Sequence, residues 1–136
     1  PALLAPEGTS EWATALRDTA TTWADAHRTP IEVRTVPFAA TVDDAERATR
    51  ALLDADPAID AVICAPDGAA PGTLRAATAL GRTPGTDLLI ASCVDSAATR
   101  HAAPPITAVD LHPTAYGRAC AELLCDVLAA RTTPDT

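Results

Sequence analysis

Two apolar runs that each end in an acidic turn constrain the fold of this sequence most strongly. Residues 61–65 are apolar at every position and stop at Pro66-Asp67-Gly68. Residues 88–94 form a second run, apolar apart from Ser92, which ends at Asp95-Ser96. Strands that helices cover on both faces have this continuous apolar pattern, which is typical of parallel sheets. The chain is therefore expected to build a buried parallel sheet.

The segments between the apolar runs have helical periodicity. After Asp67 the apolar positions recur at helical spacing up to Leu80, and Gly81 suits the residue just past a helix end. We predict strands at residues 2–5, 31–36, 61–65, 88–94 and 106–111, with a loop at 97–105 and a last helix at 112–131. Residues 31–36 alternate apolar with polar side chains, as an edge strand does.

This alternation predicts one α/β domain over residues 1–136. Right-handed crossovers give a three-layer, doubly wound parallel sheet of flavodoxin-like strand order 2-1-3-4, extended by a fifth strand.

The first helix carries an apolar stripe at helical spacing: Trp12, Leu16, Ala20, Trp23 and His27. We expect this stripe to face the sheet, with both tryptophans in the core. Trp12 is the candidate exception, because it lies in the first turn near the strand ends, where a ring can stack on a ligand.

Charge and composition exclude several classes of partner. The formal net charge is −8 and every basic residue is an arginine, with no basic cluster, so this segment is not expected to contact nucleic acid. No apolar stretch reaches the length of a membrane span. The four cysteines lack metal-site or disulfide spacing and are expected to be buried free thiols in a cytoplasmic protein. Because the chain opens on Pro1 rather than Met, we expect it to be part of a longer protein.

Common catalytic and cofactor motifs are absent. The sequence has no G-x-G-x-x-G, no lysine for a Walker motif and no G-x-S-x-G. The three histidines lack partners at metal-ligand spacing, so neither a metal nor a cofactor is expected. Cys64 and Cys93 lie among apolar residues, which raises a thiol pKa and disfavours a nucleophile.

Polar and aromatic residues follow the predicted strands. Ser10 and Trp12 follow the first, Phe38 the second, Asp67 the third and Asp95 the fourth. Ligands of open α/β sheets bind beyond the carboxyl ends of the strands. Carboxylates accept hydroxyl donors and an aromatic ring covers the apolar face of a sugar, so this set suits a small polyhydroxylated ligand. The alternative is that Asp67 and Asp95 only cap the segments that follow them.

Four segments together resemble the effector-binding domain of LacI/GalR-type transcription regulators, which is similar in fold to type I periplasmic sugar-binding proteins. They are the Ala-Pro-Asp turn followed by Gly72 and Leu74-Arg75, the strand that leads to Ser96, Pro104-Pro105-Ile106-Thr107, and Gly117-Arg118 with Leu123-Leu124. They occur in the family's order, at nearly its spacing, and the match covers almost the whole chain.

The resemblance also implies site residues. By position it assigns Asp67, Arg17, Phe38 and Asp95 to the effector pocket. Pro66 stands where the family usually has an asparagine. Counting back from Pro105 places Val94 at the family's ligand aspartate, whereas a slip of one residue places Asp95 there. These departures argue against an ordinary sugar pocket.

The resemblance further implies the function. The chain would be the C-terminal lobe of a cytoplasmic, non-catalytic sensor that binds a small effector, sugar or nucleoside-like, and contacts DNA only through an N-terminal helix-turn-helix outside this sequence. Residues 112–131 would cross to the missing lobe or pack on a partner chain, and a homodimer is expected. The alternatives are an exported solute-binding protein of a sugar transporter and an enzyme on the same kind of sheet.

Overall fold

A computed structural model describes residues 1–129 of the chain and contains five strands and five helices. The strands are β1 (Ala2–Pro6), β2 (Glu32–Val36), β3 (Ala61–Cys64), β4 (Leu89–Ser92) and β5 (Thr107–Ala108). The helices are α1 (Glu11–His27), α2 (Val42–Ala55), α3 (Ala69–Ala79), α4 (Ala97–Arg100) and α5 (Pro113–Leu128).

The strands form one parallel sheet in the order β2-β1-β3-β4-β5, which confirms the predicted fold class and strand order. In the register, Leu4 lies beside Cys64 and Cys64 beside Ser92. The central strand β1 is buried along its whole length, and β2 is the exposed edge strand that its alternating pattern predicts. All strands end at the same edge of the sheet, called here the carboxyl edge.

Two cores of unequal size lie on the two faces. The larger joins Leu4, Val62 and Cys64 to residues of α2 and α3, including Leu52 and Ala69. Inside it, the hydroxyl of Thr73 lies 3.0 Å from that of Thr49 and 3.3 Å from the sulfur of Cys64, so these buried polar groups satisfy one another.

The smaller core, on the opposite face, is closed by α1. It contains Leu3, Ala5 and Ala65, with Leu16 and Ala20 packed against it. Beyond α1 the same face of β3 and β4 is less covered, and Leu89 is exposed there.

The prediction for the tryptophans of α1 was wrong. Trp12 and Trp23 are 48% and 52% exposed, while Ala13 and Ala24, one position later in each case, are buried. One residue turns a helix by about 100°, so the contact face is centred on small alanines that let α1 approach the sheet. Trp23 stacks on His27 at a centroid distance of 4.2 Å.

Three predicted elements differ in the structure. The expected loop after β4 contains α4, which a capping box between Ser96 and Thr99 starts. The fifth strand covers only Thr107–Ala108, because β4 offers it just two partners. The last helix begins at Pro113 as predicted and is described as far as Leu128, so the expected end at Arg131 lies outside the described residues.

Helix α5 contributes no side chain to the core. None of its residues is buried, and its apolar stripe is exposed, with Tyr116 at 72% and Leu128 at 77%. The stripe therefore does not pack on the sheet of this chain. Cys120 and Cys125 lie on this helix as exposed free thiols, contrary to the expectation that all four cysteines are buried.

Candidate functional site

The carboxyl edge brings together residues that are far apart in the sequence. Phe38 follows β2, Trp12 opens α1 after β1, Asp67 follows β3 and Asp95 follows β4. Because neighbouring strands lie about 4.8 Å apart, the segments that follow β2, β1 and β3 are adjacent at this edge. This arrangement is the crevice position where open α/β sheets bind ligands.

Trp12 and Phe38 form an aromatic pair at this edge. Their ring centroids are 5.9 Å apart and their planes meet at 77°, an edge-to-face contact. Phe38 is 61% exposed, so the pair leaves a large apolar surface open to solvent. Ring faces of this kind can cover the apolar side of a small ligand. We call the two residues the aromatic corner.

Arg17 supports the backbone beside the aromatic corner. Its guanidinium donates to the carbonyl of Pro6 at 2.8 Å and to that of Gly8 at 2.9 Å. These bonds tie the segment between β1 and α1 to the helix. Arg17 thus lies at the predicted edge, but two of its donors are engaged by the chain itself.

Ser10 is the N-cap of α1. Its hydroxyl accepts a hydrogen bond from the backbone N–H of Ala13 at 3.3 Å, as serine side chains at helix N-termini commonly do. The capping bond leaves the hydroxyl proton of Ser10 for another acceptor.

Asp67 is exposed and does not cap α3. The N-cap residue is Gly68, which makes no side-chain capping bond, and within residues 1–129 the Asp67 carboxylate has no hydrogen bond or ion pair. The capping alternative for Asp67 is therefore wrong. Its carboxylate is available to a ligand.

Asp95 is engaged within the chain. It accepts a 2.5 Å bond from the guanidinium of Arg100 and a 3.3 Å bond from the hydroxyl of Thr99. Ser96 is the N-cap of α4, so Asp95 braces that helix without capping it. A ligand would have to compete with Arg100 for this carboxylate.

Pro66 and Val94 add no polar side chain to the edge. Pro66 is buried and has no backbone N–H to donate. The hydroxyl of Ser92 holds the backbone of Val94, donating to its carbonyl at 2.8 Å and accepting from its N–H at 3.2 Å. Side-chain donors for a neutral ligand are therefore scarce here.

Sequence reasoning missed two carboxylates at the same edge. Glu7 directly follows β1 and Glu11 lies in the first turn of α1, and both are exposed. Their placement after a strand was the signal that could have identified them. They make the edge around the aromatic corner acidic.

A charged groove lies between α4 and the start of α5. It has a volume of about 610 Å³ and is lined by Asp95, Arg100 and His112, among others. His112, in a left-handed conformation (φ 48°), forms the N-cap of α5, and its Nδ1 lies 3.1 Å from the carboxylate of Asp110. The groove continues the carboxyl edge toward α5.

Nucleophilic and metal chemistry have little support in residues 1–129. Burial raises the pKa of Cys64 to about 12 and also raises the pKa of Cys93, as their apolar surroundings predict. In this part of the chain no group of three or more His, Cys, Asp or Glu side chains is placed to hold a metal ion. None of its helices has the length and apolar character needed to cross a membrane.

Comparison with known proteins identifies the relatives of the chain. The family model described as a periplasmic binding protein-like domain matches residues 1–136. The HTH-type transcriptional regulator CelR of Thermobifida fusca is 38% identical over 93 residues, which cover 68% of this chain and 27% of CelR.

Solved structures give the same result. The fold superposes on a CelR–cellobiose complex with a TM-score of 0.86 at 29% identity, covering 99% of this chain and 42% of that one. A LacI family regulator from Arthrobacter sp. FB24 in complex with lactose gives a TM-score of 0.87 at 21% identity, covering 99% and 50%. The chain thus spans about half, or less, of the length of these proteins.

The family match over the whole chain and these superpositions confirm the resemblance inferred from the four sequence segments. The chain belongs to the periplasmic binding protein-like domain family, in the form that LacI-family transcriptional regulators carry.

Proposed function

We propose that this chain is the effector-sensing lobe of a LacI-type transcriptional regulator, which binds a small molecule at its carboxyl edge. One observation carries the proposal: the same edge of the sheet exposes the aromatic corner and the Asp67 carboxylate, which has no partner in residues 1–129. Two relatives of the same fold are complexes with cellobiose and lactose. The effector class is therefore a small polar molecule with an apolar face.

The second lobe of the cleft is proposed to lie outside these 136 residues. The exposed stripe of α5, which includes Tyr116, Leu123 and Leu124, is too large an apolar surface to leave in water. We infer that α5 packs on a second lobe of the same protein, or on a partner chain in a homodimer. Effector binding between the lobes would then change their relative position.

DNA binding is assigned to another domain of the full-length protein. The formal charge of −8 over this chain makes the lobe itself repel phosphate. The effector would act by favouring one arrangement of the regulator over another, which requires it to bind the two with different affinity. Such a regulator works in the cytoplasm and performs no catalysis.

Two tryptophans on one helix provide a matched test. Trp12 and Trp23 are equally exposed, but only Trp12 lies at the carboxyl edge. Calorimetry of the full-length protein against a panel of sugars and nucleosides should find a ligand. Trp12→Leu should weaken its binding about 2–10-fold, the range expected for a lost aromatic contact.

The control variant, Trp23→Leu, should bind within twofold of the wild type. Equal losses in both variants, or no ligand in the panel, would count against a site at this edge. Turnover of a ligand that Asp67→Ala abolishes would favour an enzyme instead.

A further inference from the structure

The charged side chains of the carboxyl edge differ in whether other groups of the chain already bind them. Arg17 uses two of its donors on backbone carbonyls, and Arg100 is paired with Asp95. Pro66 has no N–H to donate. Asp67 keeps a carboxylate that has no partner in residues 1–129. Of the charged side chains predicted for the site, Asp67 is therefore the one that the described part of the chain leaves without any partner.

A neutral sugar does not use such a site well. Each of its hydroxyls both donates and accepts, so a sugar pocket needs side-chain donors as well as carboxylates. A carboxylate that a ligand buries without an opposite charge also loses its hydration. An ammonium group needs acceptors only, and it supplies the charge that Asp67 lacks.

The aromatic corner favours the same chemistry. A cation is attracted to the face of a tryptophan or phenylalanine ring, and aromatic faces beside a carboxylate are a recurring way to bind organic ammonium groups. Trp12 follows β1, which is the neighbour of β3, and Phe38 follows β2 on the far side of β1, so the aromatic corner and Asp67 share the carboxyl edge. Glu7 and Glu11 on the same edge add negative potential without a paired cation among the described residues.

We propose that the effector carries an organic ammonium group, which pairs with Asp67 and lies against the aromatic corner. The inference rests on the proposed function, because it names the ligand class of that same site. An amino sugar and an alkylammonium compound share this chemistry. An amino sugar would also use the hydroxyl of Ser10 and the remaining donors of Arg17.

The test compares ligands that differ in the ammonium group alone. Calorimetry of the full-length protein at pH 6 compares glucose with glucosamine. It also compares cellobiose with the β-1,4-linked disaccharide of glucosamine. Choline serves as the arm without a sugar ring. The amine of each pair should bind at least about tenfold tighter, and its affinity should fall as salt is raised. Tighter binding of choline than of the amino sugars would identify an alkylammonium effector.

Asp67→Asn should remove most of the preference for the amine while leaving the neutral sugar within twofold. Asp54→Asn is the matched control, because Asp54 is an exposed aspartate on α2, away from the carboxyl edge. It should preserve the preference.

If the neutral sugars bind as tightly as their amines, or Asp67→Asn leaves the preference intact, the ammonium proposal is overturned and the sensor function stands. If neither kind of ligand binds, the proposed function itself fails.

Discussion

Replacing Gly72 by alanine tests how closely α3 must approach α2. A methyl group built on Gly72 would lie 2.3 Å from the carbonyl oxygen of Val42, 2.7 Å from the Cβ of Ala45 and 2.9 Å from the backbone nitrogen of Glu46. Ordinary contacts of this kind are roughly 1 Å longer. Two of the three atoms are backbone, so a rotamer change cannot relieve the overlap and the helices must separate.

The free energy of unfolding contains two opposing terms. Alanine in a helix is favoured over glycine by about 1 kcal/mol. Forcing an extra methyl into a packed interface costs about 1–3 kcal/mol, and more when the obstruction is backbone. The second term should win, so Gly72→Ala is expected to lower the free energy of unfolding by about 2 kcal/mol.

Urea unfolding followed by circular dichroism measures this change as a lower midpoint at an unchanged slope. Gly117→Ala is the control, since Gly117 lies on α5 with nothing within 4 Å of the added methyl. It should leave the midpoint unchanged or raise it slightly. A Gly72→Ala protein as stable as the control would refute the close approach of α3 to α2. Since Asp67 lies just before α3, we also expect Gly72→Ala to weaken effector binding.

Two further predictions concern Arg17 and the cysteines. Arg17→Met should lower the free energy of unfolding by about 1–3 kcal/mol, because the carbonyls of Pro6 and Gly8 lose a charged donor. Arg17→Lys should recover part of this lost stability. A loss of ligand affinity without any loss of stability would contradict the supporting role of Arg17. Cys64 is buried and its pKa is raised to about 12, so it stays protonated at pH 8 and a thiol reagent should modify it only after unfolding. Peptide mapping that finds rapid labelling of Cys64 in the folded protein would overturn its burial.

The sequence determined the sheet and most of its elements. The continuous apolar run of residues 61–65 predicted a buried strand of a parallel sheet, and the alternating pattern of residues 31–36 predicted the edge strand. Right-handed crossovers then left one strand order. The expected role of Gly81 is also confirmed, because this residue takes a positive φ (76°) just past the end of α3.

Tertiary structure decided which of these residues face solvent and which are engaged. Periodicity placed Trp12 on the stripe of α1, but it did not predict which side of the stripe contacts the sheet. A shift of one residue rotates the contact face by about 100°, and its position depends on how closely the alanines let the helix approach the sheet. In the sequence, Asp67 and Asp95 have equivalent positions, because each follows a predicted strand. Asp95 pairs with Arg100, five residues later, because α4 forms where the sequence predicted a loop. Asp67 has no such partner within residues 1–129, because the helix that follows it brings no cation to its carboxylate.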